Sequence, residues 1–99
     1  MQNIILSADG DVKVFSVPDA VAENLEKYCI DFCDKWLWNS PNAEKYRTKH
    51  GVCYDEEDFI EYLNKYIFPH EQSMLIKNLG AVLYKNLPDE YKLLPHFFF

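Results

Sequence analysis

The sequence contains only three glycines, Gly10, Gly51 and Gly80, and each of them stands alone. Phosphate-binding loops and dinucleotide-binding fingerprints need several glycines at short, fixed spacings, because the backbone must approach the phosphates closely. The scarcity of glycine therefore excludes a P-loop and a Rossmann-type nucleotide site.

Basic residues are also few, since ten lysines and arginines stand against sixteen aspartates and glutamates, for a formal net charge of −6. Binding to nucleic acid through its phosphates needs a basic patch, and binding to an anionic membrane surface needs clustered positive charge. We therefore predict neither direct nucleic-acid binding nor membrane binding. The acidity permits a basic protein partner, although it also serves to keep a small domain in solution.

The sequence has no apolar run that approaches the roughly 18 residues needed to span a membrane. Its first ten residues, MQNIILSADG, have no basic region and no long apolar stretch, so they do not match a secretory signal. The sequence has three cysteines, and an odd number is typical of reduced thiols rather than of a disulfide framework. Together these features predict a cytoplasmic protein.

Apolar and aromatic side chains are abundant, at 48% and 16% of the sequence. The length suffices for one domain with a single core, so we predict a single domain over residues 1–99. The aromatic content is high for so small a core. Either the core is rich in aromatics, or part of the aromatic set lies on a binding surface, where tyrosine and tryptophan are favoured.

Residues 17–38 carry the strongest periodic pattern and predict one amphipathic helix of about five turns. Ser16 is the candidate N-cap, and Pro18 suits the first helical position because its missing N–H costs nothing there. We expect Trp36 to point into the core and Trp38, beyond the apolar stripe, to be exposed. The stripe comprises Val21, Leu25, Tyr28, Cys29, Phe32, Trp36 and Leu37.

A second helix is predicted over residues 56–68. Asp55 is its expected cap, Asp58 completes an aspartate version of the capping box, and Pro69 ends the helix. Acidic residues in the first turn suit the positive end of the helix dipole, so we interpret them as structural rather than as a metal or acid–base site. The apolar stripe comprises Phe59, Ile60, Leu63, Tyr66 and Ile67.

The other segments predict a small sheet. Residues 3–16 form a hairpin around an Asp-Gly pair, which is a strong turn signal. Residues 73–80 fit either a strand or a short helix, and residues 81–84 fit a strand. The apolar tail at 97–99 is expected to dock as an edge strand beside the hairpin, or else to anchor a partner. The predicted fold class is α+β, with a small, mostly antiparallel sheet (the N-terminal hairpin plus a C-terminal strand) packed on two main helices.

Four residues suggest a metal site: Cys29, Cys33, His50 and Cys53. The first two are four residues apart and share a helix face, and four such ligands suit tetrahedral zinc. Against zinc, the C-x3-C spacing differs from the usual knuckle, and Cys29 already belongs to the core stripe, where free cysteine behaves as a small hydrophobe. A small zinc-binding protein is therefore the alternative hypothesis, and no cofactor is predicted.

The sequence carries no catalytic signature. A nucleophilic site needs a nucleophile, a base and an orienting group, and Cys53 with His50 or His70 could supply two of these. The residues around Cys53, GVCYDEED, match no local signature of a catalytic cysteine. We therefore predict that the protein is not an enzyme.

Three stretches, DFCDKWLW, GVCYDEEDFIEYLNKYIFP and LPDEYKLLPHFFF, resemble small, acidic, uncharacterised proteins of Firmicutes bacteria. The resemblance covers most of the chain. It implies a bacterial cytoplasmic setting and no established activity, and it supplies no catalytic residues.

The leading hypothesis is a non-catalytic protein-interaction module, of a binding or inhibitory kind, with a protein partner that the charge permits to be basic. The candidate contacts are Asp31, Asp34 and Trp38 on the first helix and Glu57 and Glu61 on the second. A homodimer through an edge strand or the aromatic tail is a further option, because it would cover exposed apolar surface.

Overall fold

A computed structural model describes all 99 residues of the chain. It has a four-stranded sheet, a two-stranded sheet and short helices, which confirms the predicted α+β class. The strands are β1 (Gln2–Ser7), β2 (Val12–Val17), β3 (Arg47–Thr48), β4 (Gly51–Val52), β5 (Met74–Gly80) and β6 (His96–Phe98). The α-helices are α1 (Asp19–Glu23), α2 (Leu25–Ile30), α3 (Leu37–Asn39), α4 (Glu56–Tyr62) and α5 (Asp89–Lys92), with π-helical turns at Asp31–Trp36 and Leu63–Ile67 and 3₁₀ turns at Pro41–Tyr46 and Tyr84–Asn86.

The main sheet has the strand order β5-β2-β1-β6. Strands β1 and β2 form the predicted antiparallel hairpin, with Ile5 opposite Val14, and its turn contains Gly10 at a φ of 98°. Strand β5 joins the outer side of β2 in antiparallel orientation, and β6 joins the outer side of β1 in parallel orientation. The C-terminal tail therefore docks as an edge strand beside the hairpin, as predicted.

The sheet has apolar clusters on both faces, because successive side chains of a strand point to opposite sides. Ile4 and Leu6 join a core of sixteen buried residues under the helices, whereas Ile5 joins four buried residues on the other face. Phe97 and Phe99 pack against the larger core from β6.

Phe32 is fully buried in the larger core and is surrounded by aromatic rings. Its ring centroid lies between 5.2 and 6.2 Å from those of five neighbours, which come from the first helical segment, the residues just before the second helix, that helix and the C-terminal tail. Many of the aromatic residues of the sequence therefore belong to this one cluster. The five neighbours are Trp36, Tyr54, Phe59, Tyr62 and Phe99.

The first helical segment differs from the single helix predicted over residues 17–38. It starts at Asp19, because Val17 still belongs to β2, and Pro18 is the N-cap rather than Ser16. Asn24 leaves the helical conformation, with φ −133° and ψ 40°, and its Nδ2 donates to the Ala20 carbonyl oxygen at 3.2 Å. Asparagine side chains compete with the helix for backbone groups in this way, so the segment breaks into α1 and α2.

The second helix confirms the predicted capping box. The Asp58 amide donates to Asp55 Oδ1 at 3.0 Å, and the Asp55 amide donates to Asp58 Oδ2 at 2.9 Å. The predicted stripe is wrong at its end, since Tyr66 and Ile67 are exposed and Tyr62 is buried instead. The π-helical turn Leu63–Ile67 explains the exposure of Tyr66 and Ile67, because its wider hydrogen-bond spacing rotates the side chains within it.

Residues 73–84 contain one strand rather than two. Strand β5 resolves the ambiguity of residues 73–80 in favour of a strand, but the strand predicted over residues 81–84 is wrong. Gly80 has a φ of 77°, and the Val82 amide donates to the Gly80 carbonyl at 3.1 Å. This tight turn directs the chain across the open face of the sheet, where Val82 packs on the smaller apolar cluster.

Two tyrosines of the aromatic core make stability depend on alkaline pH. Burial raises the pKa of Tyr54 from 10.0 to about 12, with Cys33 contributing, and burial raises the pKa of Tyr46 to about 12. A group whose pKa is raised in the folded state stabilises it fully below the unfolded pKa and loses that contribution as the pH rises through the folded pKa. We therefore expect the free energy of unfolding to fall between about pH 10 and pH 12.

Urea unfolding at a series of pH values checks this expectation, with Tyr54→Phe beside the wild type. The variant lacks one titrating phenol, so its stability should fall less steeply in the same window. A fall of equal steepness in both proteins would contradict the role of Tyr54.

Candidate functional site

Strand β5 presents a free edge, because it ends the strand order and pairs on one side only. Met74, Leu75 and Ile76 are 58%, 45% and 50% exposed along it. An unpaired strand edge offers a row of backbone N–H and C=O groups to another chain, and natural proteins usually shield such edges with charge or distortion. Here Lys77 is the one charged residue of the strand, and the pairing with β2 shifts in register at two places along it. The β5 edge is therefore accessible and apolar over Met74–Ile76, although a lysine and two irregularities follow along the strand.

A cleft of about 420 Å³ runs between β5 and the second helix. Phe15 and Ile60, both buried, are its core-facing members, and polar side chains of the helix form one wall. A groove between an edge strand and a helix suits an extended peptide, because the strand offers backbone hydrogen bonds and the groove accepts alternate side chains. The lining residues are Phe15, Glu57, Ile60, Glu61, Asn64, Lys65, Gln72, Ser73, Met74 and Leu75.

Asn64 fixes the beginning of β5 to the end of the helix. Its Nδ2 donates to the Ser73 carbonyl at 3.0 Å, and its Oδ1 accepts from the Ser73 amide at 2.6 Å. Gln72 adds hydrogen bonds from Nε2 to the carbonyls of Asn64 and Pro69, at 3.1 and 2.9 Å. The side-chain amides thus hold the segment before β5 against the helix at this end of the cleft.

Lys13 and Glu56 form a buried ion pair next to Glu57, at the other end of the cleft. Lys13 Nζ lies 2.9 Å from Glu56 Oε1, and Glu56 is only 2% exposed. The hydrogen bond to Glu56 raises the pKa of Lys13 above its ordinary value of 10.5. Glu56 Oε2 has no hydrogen-bond partner. The pair therefore depends on this one lysine, which ties β2 to the start of α4.

Sequence reasoning interpreted Glu56 only as a favourable charge at a helix start, and it missed the burial. Lys13 lies between Val12 and Val14, both buried on the opposite face of the sheet, so it points towards the helices. The sequence did contain a signal of this burial. Lys13 alternates with buried residues along a strand, so its side chain must lie on the face of the sheet that a helix covers.

The charges along the cleft are unevenly distributed. At one end, Lys13 Nζ also lies 3.4 Å from Glu57 Oε2, so two carboxylates share one lysine. At the other end, Glu61 lies 2.6 Å from Lys65 Nζ and 3.9 Å from Lys45 Nζ, so two lysines share one carboxylate. The hydrogen bond from Lys65 lowers the pKa of Glu61. The cleft is therefore negative near Glu57 and positive near Lys65.

The five contact residues expected from the sequence form two groups in the structure, one that lines the cleft and one that does not. Glu57 and Glu61 line the cleft, whereas Asp31, Asp34 and Trp38 of the first helical segment do not. Trp38 is 51% exposed, as predicted. Asp31 pairs with Lys35 at 3.3 Å. The sequence missed the β5 edge itself, because the exposure of an apolar strand depends on its place in the sheet.

The residues of the zinc alternative do not form a metal-binding group. Cys29 is buried in the core, where burial raises the pKa of its thiol, while Cys53 and His50 are exposed. No group of three or more His, Cys, Asp or Glu side chains in residues 1–99 is arranged to hold a metal ion. This arrangement weighs against the zinc hypothesis.

Comparison with known proteins found no match: no protein-family profile matches the chain, and no curated protein or solved structure is significantly similar to it. None of the helices combines the length and the apolar composition needed to cross a bilayer. The β5 edge and its cleft are therefore the features from which a function can be argued.

Proposed function

We propose that the protein is a non-catalytic protein-interaction module that binds an extended segment of a partner protein at the β5 edge. The observation that carries this proposal is a seven-residue edge strand with three large apolar side chains exposed, next to an open cleft of about 420 Å³. Contiguous exposed apolar surface of this kind marks interaction sites in folded proteins.

Strand addition explains how such a site would bind. Backbone hydrogen bonds to β5 supply affinity without regard to sequence, and alternate side chains of the added strand enter the cleft towards Phe15 and Ile60. Burial of Met74, Leu75 and Ile76 under the added strand contributes hydrophobic free energy.

The partner protein is expected to be basic overall. The net charge of −6 favours the approach of a positively charged protein, because complementary fields raise the rate of association. Asp31, Asp34 and Trp38 lie outside the cleft, so their predicted contact with a partner is separate from strand addition. A cytoplasmic setting is consistent with the free cysteines.

The test is a pull-down from a lysate of the source organism with wild type, Ile76→Lys and Leu93→Lys. Ile76→Lys places a charge on the β5 edge, and Leu93→Lys makes the same change at a more exposed leucine outside the cleft. We expect Ile76→Lys to weaken the capture of a stoichiometric partner by at least about tenfold, and Leu93→Lys to leave it unchanged. Equal capture by both variants would contradict binding at the β5 edge.

A further inference from the structure

The direction of β5 relative to the second helix is fixed by contacts at both ends of the cleft. Ser73, just before β5, is bonded to Asn64 near the end of the helix. Asn78, late in β5, pairs with Lys13, which is bonded to Glu56 at the start of the helix. Strand β5 therefore runs antiparallel to the helix.

An added strand has a preferred direction on this edge. Antiparallel strand pairs outnumber parallel ones by about two- to threefold, so we take the added strand as antiparallel to β5. It then runs parallel to the helix. From its N-terminal to its C-terminal end it passes first Glu57, then Glu61 and finally Lys65.

The spacing of the cleft charges fits the repeat of an extended strand. Glu57 and Lys65 are eight helical residues apart, which corresponds to a rise of about 12 Å. About four residues of a strand span the same distance. An offset of four is even, so two side chains at that spacing point to the same face of the strand, towards the cleft. The residue midway between them also points there, towards Ile60 and Phe15.

We propose that the bound segment carries a basic residue, an apolar residue two positions later and an acidic residue two positions after that. The basic side chain meets the negative end of the cleft, where Glu56 and Glu57 share Lys13. The acidic side chain meets the positive end, where Lys45 and Lys65 share Glu61. This inference rests on the proposed function and specifies the segment that the β5 edge selects within a partner.

The ion pairs already present in the cleft do not block this exchange. The side chains of Glu57 and Lys65 are each 57% exposed, and that of Lys45 is 62% exposed. Exposed ion pairs contribute little to stability, so a bound segment can share their partners at small cost. Because each end of the cleft has one unmatched charge, the segment adds a counter-charge where one is lacking.

The experiment selects random linear peptides displayed on phage against the immobilised full chain. We expect the selected peptides to share the basic, apolar and acidic positions at intervals of two. A synthetic peptide of the selected sequence is then titrated against Lys65→Glu and Lys35→Glu. Each change breaks an exposed i,i+4 ion pair and alters the net charge equally, but only Lys65 lines the cleft. Lys65→Glu should weaken binding roughly tenfold, and Lys35→Glu should leave it unchanged.

The outcomes separate this inference from the proposed function. Selected peptides that lose binding on Ile76→Lys but show no charge order would overturn the inference and leave the strand-addition site in place. An absence of selected peptides, or peptides indifferent to Ile76→Lys, would overturn both. Sedimentation of the chain alone completes the test, since a dimer abolished by Ile76→Lys would identify a second copy as the occupant and overturn the inference.

Discussion

Replacing Phe32 by alanine is expected to lower the free energy of unfolding by about 3–5 kcal/mol, the range for removing a fully buried aromatic side chain. Phe32 is 0% exposed and its ring contacts five other aromatic rings. The vacated volume cannot be refilled easily, because four of the five neighbours are distant from Phe32 in sequence and are held in place by other parts of the fold. Urea unfolding followed by tryptophan fluorescence measures the loss.

Phe98→Ala is the matched control for this prediction. The chemical change is the same, but Phe98 is 45% exposed and lies outside the larger core. Removing its side chain should lower the free energy of unfolding by no more than about 1 kcal/mol beyond the effect of an ordinary surface substitution. Similar losses for Phe32→Ala and Phe98→Ala would mean that the aromatic cluster does not dominate the stability of the core.

Replacing Lys13 by methionine is expected to cost about 3–5 kcal/mol, the range for breaking a buried ion pair by removing one partner. Methionine keeps much of the volume and apolar stem of lysine, so the main effect is electrostatic. Glu56 would remain buried, with one oxygen already unpartnered and the other deprived of its lysine. Thermal and urea unfolding near neutral pH measure this loss.

The double variant Lys13→Met with Glu56→Leu isolates the cause. It removes both charges, and replacing a buried pair by apolar groups is often neutral or stabilising. The double variant should therefore be more stable than Lys13→Met alone, and a double variant that is less stable would contradict the explanation.

Alkaline pH gives a second check on Lys13. Because the pKa of Lys13 is raised above 10.5 in the folded protein, its contribution is present below that pH and is lost as the pH rises through the folded value. The difference in the free energy of unfolding between wild type and Lys13→Met should therefore become smaller above about pH 10.5.

The parts of the fold that follow from local chemistry were predictable from the sequence. The Asp55–Asp58 capping box, the hairpin around Gly10 and the docking of the phenylalanine tail each depend on residues close in sequence or on a strong apolar run. The buried stripe of the first helical segment also follows from helical periodicity, with Phe32 at its centre.

The remaining features depend on tertiary packing, which the local sequence pattern does not determine. Asn24 could have pointed to solvent within a continuous helix, and no residue type specifies the π-helical turn that displaced Tyr66 and Ile67 from the core. The burial of Glu56 required knowing which helix covers Lys13.

The candidate site illustrates the same limit. Residues 74–76 have the composition of a buried strand, and only the strand order shows that they lie on a free edge. The two acidic cleft residues, Glu57 and Glu61, were expected as contacts because of the acidity of the sequence. The Glu61–Lys65 pair follows the i,i+4 spacing of a helix, whereas the contacts of Glu57 with Lys13 and of Glu61 with Lys45 depend on packing across elements.

The parallel pairing of β6 with β1 also bears on how quickly the molecule reaches its folded state. Ile5 pairs with His96, so the two strands that meet here come from opposite ends of the chain. Contacts between distant parts of a sequence require the closure of a large loop, and proteins dominated by such contacts fold slowly. The β1–β2 hairpin needs only a short turn and can form early, whereas the pairing of β1 with β6 forms later. Until β6 arrives, β1 is itself an open edge and the aromatic core lacks Phe97 and Phe99, so the partly folded chain is at its most prone to aggregate in that interval.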